Sequence, residues 1–243
     1  MRIAMWSGPR NLSTAMMYAF AQRGDCAVTD EPFYAAYLAA TGLAHPMREE
    51  VLASQPQDAG AVGAALAAPA PGGRANWYQK HMVQHMLPGF PRDWMAGVRH
   101  VFLIRHPARV VVSFAKGYEA LTLEDVGFVQ QAELFEYLSE RGEAPLVIDS
   151  YDIRQDPEAM LTALCLALGI RFDPAMLSWP EGGRAEDGVW AAHWYKSLHR
   201  TTGFAGPEGD LPVLDSRLAE MVEAAMPSYR VMEARKIRPA SRG

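Results

Sequence analysis

The chain has 243 residues, 49% apolar and 21% charged, which is the composition of a globular protein with a sizeable core. Its formal net charge of −5 argues against a broad nucleic-acid surface, because phosphate contacts need clustered Lys and Arg. The sequence predicts neither a membrane span nor an apolar signal segment before the first turn. We therefore expect one soluble, cytoplasmic domain over residues 1–243, with no membrane and no nucleic-acid polymer as partner.

Short apolar runs alternate with longer helical patterns along the chain. The runs that predict strands are residues 2–6, 26–29, 77–78, 100–104 and 146–148. This alternation indicates an α/β fold, a three-layer parallel sheet with flanking helices. Cys26 and Cys165 lie inside apolar segments, so we expect them to be buried as small hydrophobic side chains rather than paired.

Capping residues mark three predicted helices. Residues 122–142 begin with a Thr-Leu-Glu-Asp pattern similar to a capping box and continue with an apolar period of 3.6. Asp156, Pro157 and Gly169 are typical of the N-cap, the first helical position and the left-handed end of a second helix. Asp215 begins the third helix.

Two segments depart from this alternation. Residues 52–74 are rich in Ala, Gly, Pro and Gln, which predicts a mobile excursion or a weak helix that carries no chemistry. Residues 179–212 are rich in Gly and Pro but carry large aromatic side chains such as Trp190, Trp194 and Tyr195. Such aromatics indicate either a wall or lid over a ligand or a loop that is pinned to the core.

The segment after the first strand has the features of an anion site. Its residues are Gly8, Pro9, Arg10, Asn11, Leu12, Ser13 and Thr14, followed by an apolar helical pattern. A strand, a tight loop and a helix in this order aim backbone amides and the positive end of the helix dipole at one point. Ser13 and Thr14 add hydroxyl donors, and Arg10 adds a permanent charge. The same order of elements also opens many α/β proteins without a phosphate loop.

This loop differs from the standard nucleotide loop, which needs Gly, four residues and then Gly-Lys-Ser/Thr. The chain has no Lys and one Gly there, and basic residues rather than an acidic metal ligand follow the strand that ends at Ile104. Phosphoryl transfer nearly always uses Mg²⁺ and the loop Lys. The sequence therefore predicts no metal site and argues against an ATP-dependent kinase.

A second group of polar residues follows the fourth predicted strand. Arg105 stands at the carboxyl end of that strand, Pro107 suits the first turn of a helix, and Ser113 comes about two turns later. Ligands of doubly wound sheets bind at the carboxyl ends of the strands, the edge that also holds the first loop. We expect Arg105 and Ser113 to face the same cleft as that loop.

The stretch from Pro9 to Thr14 resembles the 5′-phosphosulfate loop of the sulfotransferase family, whose pattern is roughly Pro-Lys-Ser-Gly-Thr-Thr. Arg10 stands where the family often has Lys, and Ser13 and Thr14 stand where it has two hydroxyl residues. Leu12 replaces the family Gly. This departure implies that the backbone there avoids a positive φ, or that the loop has a different shape.

The spacing of Arg105 and Ser113 resembles the element of the same family that binds the 3′-phosphate of the donor. Further segments resemble a bacterial branch of small sulfotransferase-like proteins: residues 30–33, 80–82, 176–179 and 194–195. The resemblance implies a P-loop type of fold and 3′-phosphoadenosine 5′-phosphosulfate (PAPS) as donor. It also implies metal-independent, in-line transfer to a small-molecule acceptor, whose identity the fold does not determine.

A hydroxyl acceptor needs a base, and the sequence offers two candidates. Glu31 follows the second strand at the edge that holds the anion loop, and is the first choice; otherwise it is a solvated carboxylate or a partner of Arg10. His81 and His85 would lie on one helix face if that segment were helical, and Lys80 could neutralise donor or acceptor. The proposed catalytic residues are Arg10, Glu31 and His81. A nucleotide-binding protein without catalysis is the alternative from another class.

Overall fold

A computed structural model describes residues 1–116 and 121–239 of the chain; residues 117–120 and 240–243 of the predicted domain lie outside them. The described strands are β1 (Arg2–Ser7), β2 (Cys26–Asp30), β3 (Asn76–Met82), β4 (Arg99–Ile104) and β5 (Leu146–Asp149). The described α-helices are α1 (Ser13–Ala21), α2 (Tyr34–Thr41), α3 (Arg48–Ser54), α4 (Ala59–Ala67), α5 (Pro107–Ala115), α6 (Leu123–Val126), α7 (Phe128–Glu140), α8 (Ser150–Gln155), α9 (Pro157–Leu168), α10 (Ala191–Trp194) and α11 (Ser216–Glu233).

The strands form one parallel sheet with the order β2-β3-β1-β4-β5. The connections from β1 to β2, from β2 to β3 and from β4 to β5 contain α-helices, whereas the connection from β3 to β4 contains two short 3₁₀ turns. All carboxyl ends therefore meet at one edge, where the chain leaves β1 for α1 and β4 for α5. This confirms the predicted fold class.

Side chains alternate along each strand, so the sheet buries a separate apolar cluster on each face. Trp6 and Phe102 pack on one face with residues of α4, α5, α7 and α11. Met5 and Leu103 pack on the other face with residues of α1 and α9. Helices thus cover both sides of the sheet, which gives the three layers that the sequence predicts.

The predicted helix ends are borne out by their caps. Asp156 accepts a hydrogen bond from the backbone of Ala159 at 3.0 Å, and Gly169 ends α9 with a φ of 78°. Asp215 caps α11, and the box of Thr122 and Asp125 is formed. The sequence predicts one continuous helix over residues 122–142. The structure divides it into α6 and α7, because Gly127 adopts a φ of 72° between them.

Two predictions about local structure need correction. The third strand is longer than residues 77–78, since β3 continues to Met82 and includes Lys80 and His81. Residues 52–74 contain the end of α3 and the whole of α4, whose Val62 and Leu66 are buried in the core. Of the two alternatives stated for this segment, the structure therefore forms the helical one.

Both cysteines follow the sequence expectation. Cys26 and Cys165 are free thiols, 7% and 0% exposed, and burial raises the pKa of each, to about 12 and about 11 respectively. Within the described ranges, no helix is long and apolar enough to cross a membrane.

Candidate active site

A cavity of about 770 Å³ opens at the carboxyl edge of the sheet. Its walls come from the loop between β1 and α1, the ends of β2, β3 and β4, and the segment around α10. Residues that the sequence places far apart meet here: Arg10, Glu31, Lys80, Arg105, Ser113, Ser150 and Tyr195. Arg10 contacts both Arg105 and Ser113, and Glu31, Lys80 and Tyr195 form a second group of contacts.

The loop between β1 and α1 forms a cradle, residues 8–14, that is fastened to the sheet. Asn11 is buried, and its side-chain amide donates to the carbonyl of Leu103 in β4 at 3.2 Å. Gly8 is required by a close approach, because a Cβ built there would lie 2.6 Å from the backbone oxygen of Val126. The N-cap of α1, Leu12, has no side-chain oxygen, so the first amides of α1 remain available to an anion.

Leu12 contradicts one of the two expectations for this position. Its φ is 71°, and Arg10 also has a positive φ of 62°. The left-handed conformation costs a non-glycine residue about 1–2 kcal/mol. The Leu12 side chain packs against the apolar cluster of α1 and α9, and this burial offsets the strain.

The two predicted anion elements are in direct contact. Arg10 donates from Nε to the hydroxyl of Ser113 at 2.9 Å, and Arg105 donates from Nη1 to the carbonyl of Arg10 at 2.7 Å. Burial, and then repulsion from Arg105, lower the pKa of Arg10 from its ordinary value. The cradle and the end of β4 therefore form one region of excess positive charge on a single cavity wall.

Further arginines beside this wall surround a buried carboxylate. Glu208, whose side chain is 3% exposed, pairs with Arg105, Arg109 and Arg154. Arg105 and Arg154 also line the cavity. Glu208, Arg109 and Arg154 are not among the predicted site residues, because the irregular segment that carries Glu208 has no period that would place it beside α5 and α8.

Lys80 lies at the centre of a buried ionic cluster at the opposite end of the cradle. Its Nζ is 2.8 Å from Asp30 Oδ1, 2.5 Å from Glu31 Oε1 and 2.7 Å from the hydroxyl of Tyr195. Burial by itself lowers the pKa of Lys80, but the two carboxylates outweigh it and hold this pKa above its ordinary value. Lys80 is therefore a cation at neutral pH, and it neutralises carboxylates that burial would otherwise destabilise.

Glu31 lies where the sequence predicts, at the end of β2 and on the cavity wall. It is 8% exposed and is not the partner of Arg10, since its Oε1 contacts Lys80. Its second oxygen, Oε2, is 3.8 Å from Nδ1 of His85. His85 lies between the rings of Tyr34 and Tyr37, with centroids 4.5 and 4.8 Å away, and burial holds its pKa well below the ordinary value.

His81 does not reach the cavity wall. It lies inside β3, where alternation directs Lys80 to the cavity and His81 to the opposite face of the sheet. There its ring stacks on Trp6 with centroids 4.4 Å apart and packs beside Phe33 and Trp94. The condition under which His81 and His85 would lie on one helix face is not met, because β3 continues through His81 and a short 3₁₀ turn follows it.

The aromatic segment, residues 179–212, both packs into the core and lines the cavity. Trp190 is 1% exposed and donates from Nε1 to the hydroxyl of Tyr195 at 3.1 Å. Trp194, Tyr195 and Leu198 line the cavity. Trp190 therefore pins the segment to the core, whereas Trp194, Tyr195 and Leu198 form a wall of the cavity. In the described part of the chain, no group of three or more His, Cys, Asp or Glu residues is placed to hold a metal ion.

The parallel sheet, the cradle after its central strand and the cation wall define an α/β protein whose sheet edge could hold a phosphate-type anion. A sequence model of the sulfotransferase domain family matches residues 1–236. The chain therefore belongs to the sulfotransferase domain family, a family of transferases, as the resemblance of its loops predicts.

Solved sulfotransferase domains have the same fold. The sulfotransferase domain from the curacin biosynthetic pathway superposes with a TM-score of 0.57 at 19% identity, covering 93% of this chain and 97% of that one. The sulfotransferase domain of the Synechococcus PCC 7002 olefin synthase gives a TM-score of 0.51 at 17% identity, covering 92% and 94%. At this level of identity the likeness concerns the fold alone.

Curated relatives are longer than this chain. Branched-chain-amino-acid aminotransferase-like protein 2 of Arabidopsis thaliana is 36% identical over 230 residues, which are 95% of this chain and 41% of the relative. Branched-chain-amino-acid aminotransferase-like protein 1 of the same plant is 38% identical over 232 residues, 96% of this chain and 41% of the relative. The chain thus spans about two fifths of the length of these relatives.

Proposed function

We propose that this chain is a PAPS-dependent sulfotransferase that transfers a sulfuryl group to a hydroxyl group of a small molecule. One observation carries the proposal: the cradle and the end of β4 meet through the contacts Arg10–Ser113 and Arg105–Arg10 on one cavity wall. PAPS has two phosphate groups, at its 5′ and 3′ ends, and this wall offers two adjacent anion sites. The amides of residues 8–14 would hold the 5′-phosphosulfate, and Arg105 with Ser113 the 3′-phosphate.

The reaction forms a bond between the acceptor oxygen and sulfur while the bond from sulfur to the 5′-phosphate oxygen breaks. Negative charge grows on the departing phosphate, where Arg10, Ser13, Thr14 and the loop amides would stabilise it. The products are the sulfated acceptor and adenosine 3′,5′-bisphosphate. Positive side chains and amides supply this stabilisation without requiring a metal ion at the sulfuryl group.

The proton of the acceptor hydroxyl would go to Glu31. This carboxylate lies on the cavity wall at the end of β2, close to the cradle, whereas His81 is packed among Trp6, Phe33 and Trp94. Lys80 holds one oxygen of Glu31, while the other, Oε2, lies 3.8 Å from Nδ1 of His85. Glu31 thus has the location that a general base needs.

The aromatic and apolar side chains beyond Glu31 would hold the acceptor. They are Tyr34, Tyr37, Leu43, Met86, Leu87 and Trp194. Such a lining buries an organic molecule, while a few polar groups orient its reacting hydroxyl. We therefore place the acceptor at this end of the cavity and the nucleotide at the arginine end.

A thermal-shift series tests the donor class. Adenosine 3′,5′-bisphosphate at a hundred times its dissociation constant should stabilise the fold by about 2.7 kcal/mol. ATP with Mg²⁺ at the same concentration should stabilise it much less, because the cradle lacks the Lys of a nucleotide loop. Strong stabilisation by Mg-ATP with no effect of the bisphosphate would refute the proposal and favour a kinase.

A further inference from the structure

Glu208 is a buried carboxylate surrounded by arginines of separate elements. Arg154 Nη1 of α8 lies 2.8 Å from Oε1, Arg109 Nε of α5 lies 3.1 Å from Oε2, and Arg105 Nη2, just after β4, also contacts Oε1. The backbone on either side adds to this set. Arg154 donates from Nε to the carbonyl of Gly206 at 2.8 Å, and Arg109 donates to that of Gly209.

The charges of this cluster do not balance. Arg105, Arg109 and Arg154 carry three positive charges and Glu208 one negative charge, so these four side chains have a net charge of +2. Their side chains are only 18%, 12% and 22% exposed for the arginines and 3% for Glu208, which limits neutralisation by solvent. A dianion in place of the carboxylate would reduce this excess, and arginine forks match phosphate oxygens in geometry.

Arg105 and Arg154 both contact Glu208 and line the cavity. Glu208 contacts them from the irregular segment that precedes α11. Arg105 commits Nη2 to Glu208 and Nη1 to the carbonyl of Arg10. A phosphate that binds Arg105 through a pair of N–H groups that includes Nη2 therefore competes with the carboxylate.

We propose that Glu208 is an internal substitute for the 3′-phosphate of the donor. The phosphate dianion takes the place of the carboxylate among Arg105, Arg109 and Arg154, and the loop that carries Glu208 moves out when the nucleotide enters. This inference rests on the proposed function, which identifies the ligand of Arg105 as a 3′-phosphate. It adds Arg109 and Arg154 to the phosphate site and assigns Glu208 the role of a competitor.

The backbone around Glu208 permits this exchange. Residues 204–215 form neither helix nor strand, and the nearest sheet-like contact is an isolated bridge between Ser178 and Gly203. A Cβ built on Gly206 or Gly209 would meet no atom within 4 Å, and the carbonyls of these two glycines accept from Arg154 and Arg109, the same arginines that hold Glu208. A short segment with such flanks can change its path without opening the core.

The opposite role would be a fixed anchor that orders the three arginines for the nucleotide. The two roles differ in the sign of one measurable effect. Removing a competitor raises the affinity for the 3′-phosphate, whereas removing an anchor lowers it. The isosteric change Glu208→Gln removes the charge while keeping the volume of the side chain.

The test is calorimetric titration of wild type and Glu208→Gln with adenosine 3′,5′-bisphosphate and with 5′-AMP. If Glu208 occupies the site in nine of ten molecules, its removal strengthens bisphosphate binding about tenfold. The affinity for 5′-AMP should stay within about twofold, because that ligand lacks the 3′-phosphate. Asp210→Asn, an exposed acid in the same loop, is the matched control and should change neither affinity.

Unchanged or weaker bisphosphate binding by Glu208→Gln would overturn the inference while leaving the proposed function intact. A wild type that does not bind the bisphosphate at all would overturn both. The variant could also fail to fold, since it leaves three arginines without a counter-charge, so a second measurement uses the wild type alone.

That measurement is cleavage by a glutamate-specific protease, with mass-spectrometric detection of the cut between Glu208 and Gly209. Glu208 is 9% exposed as a residue and should be protected in the free protein. Saturating bisphosphate should speed this cut, because the loop is released, while 5′-AMP should not. Slower or equal cleavage in the presence of the bisphosphate would show that Glu208 stays in place and would refute the exchange.

Discussion

At the scale of single residues, the environment of Glu31 separates two roles for its carboxylate. It neutralises the buried Lys80, as Asp30 also does, and it lines the cavity, which Asp30 does not. Asp30 is instead occupied by Lys80, Tyr195 and the backbone amide of Gly188. A general base must face the acceptor in the cavity, as Glu31 does, whereas a counter-ion of Lys80 need not. Substitutions of Glu31 and Asp30 can therefore be compared to separate the two roles.

We predict that Glu31→Gln lowers kcat by about 10²–10⁴ while the affinity for adenosine 3′,5′-bisphosphate stays within about threefold. Asp30→Asn, which removes the other partner of Lys80, should cost less than about tenfold in kcat per folded molecule. Steady-state kinetics on both variants, with folded protein quantified by circular dichroism, distinguish the two roles. Equal losses in the two variants would mean that Glu31 acts only through Lys80.

At the scale of elements, the cradle depends on the loop between β1 and α1 passing close to α6. Gly8 is the point of closest approach, where the backbone oxygen of Val126 leaves no room for a side chain. Asn11 fastens the other half of the loop to β4. The shape of the cradle is thus determined by contacts with two elements that lie more than ninety residues away in sequence.

Gly8→Ala should therefore move the loop or α6 and destabilise the protein by about 1–3 kcal/mol, the usual cost of overpacking. Bisphosphate affinity should fall with it, because the amides of the cradle lose their alignment. Gly24→Ala is the control: nothing lies within 4 Å of a Cβ built there, so its stability should stay within about 0.5 kcal/mol of wild type. Urea unfolding and titration with the bisphosphate measure both effects, and an unchanged Gly8→Ala protein would contradict this account.

At the scale of the whole molecule, buried histidines make the stability depend on pH. Burial, and then repulsion from neighbouring cationic or potentially cationic groups, holds the pKa of His81 and of His85 well below the ordinary value. Both are therefore neutral in the folded protein, while the unfolded chain takes up their protons below a pH of about 6.5. Since the unfolded state then binds more protons, stability falls as the pH falls through this value.

We predict that each of these histidines removes about 1.4 kcal/mol of unfolding free energy per pH unit below about 6. His81→Gln keeps a polar side chain but does not titrate. Between pH 6 and 5 its unfolding free energy should therefore fall by about 1.4 kcal/mol less than that of wild type. Urea unfolding at pH 7.5, 6 and 5 gives the two slopes. Parallel slopes for wild type and His81→Gln would show that His81 is protonated in the folded state.

Local patterns in the sequence were enough to predict the parallel α/β fold and the position of the cradle. They also predicted that Arg105 and Ser113 lie beside the cradle. Strand positions, capping residues and the turn after β1 depend on neighbours in the chain, and the carboxyl ends of parallel strands must lie at one edge. The same reasoning placed Glu31 on the cavity wall. The full length of β3 was not predicted, because a run such as Gln79-Lys80-His81 has no apolar alternation to mark it as buried.

Tertiary contacts decided the rest. Side chains alternate between the two faces of the sheet along β3. His81 therefore stacks on Trp6 in the core, while Lys80 faces the cavity. Leu12 takes a left-handed backbone conformation that its residue type disfavours, because its side chain gains a packed apolar environment. Glu208 forms ion pairs with arginines up to 103 residues away in the chain. Local propensity and hydrophobic period do not predict contacts between residues so far apart.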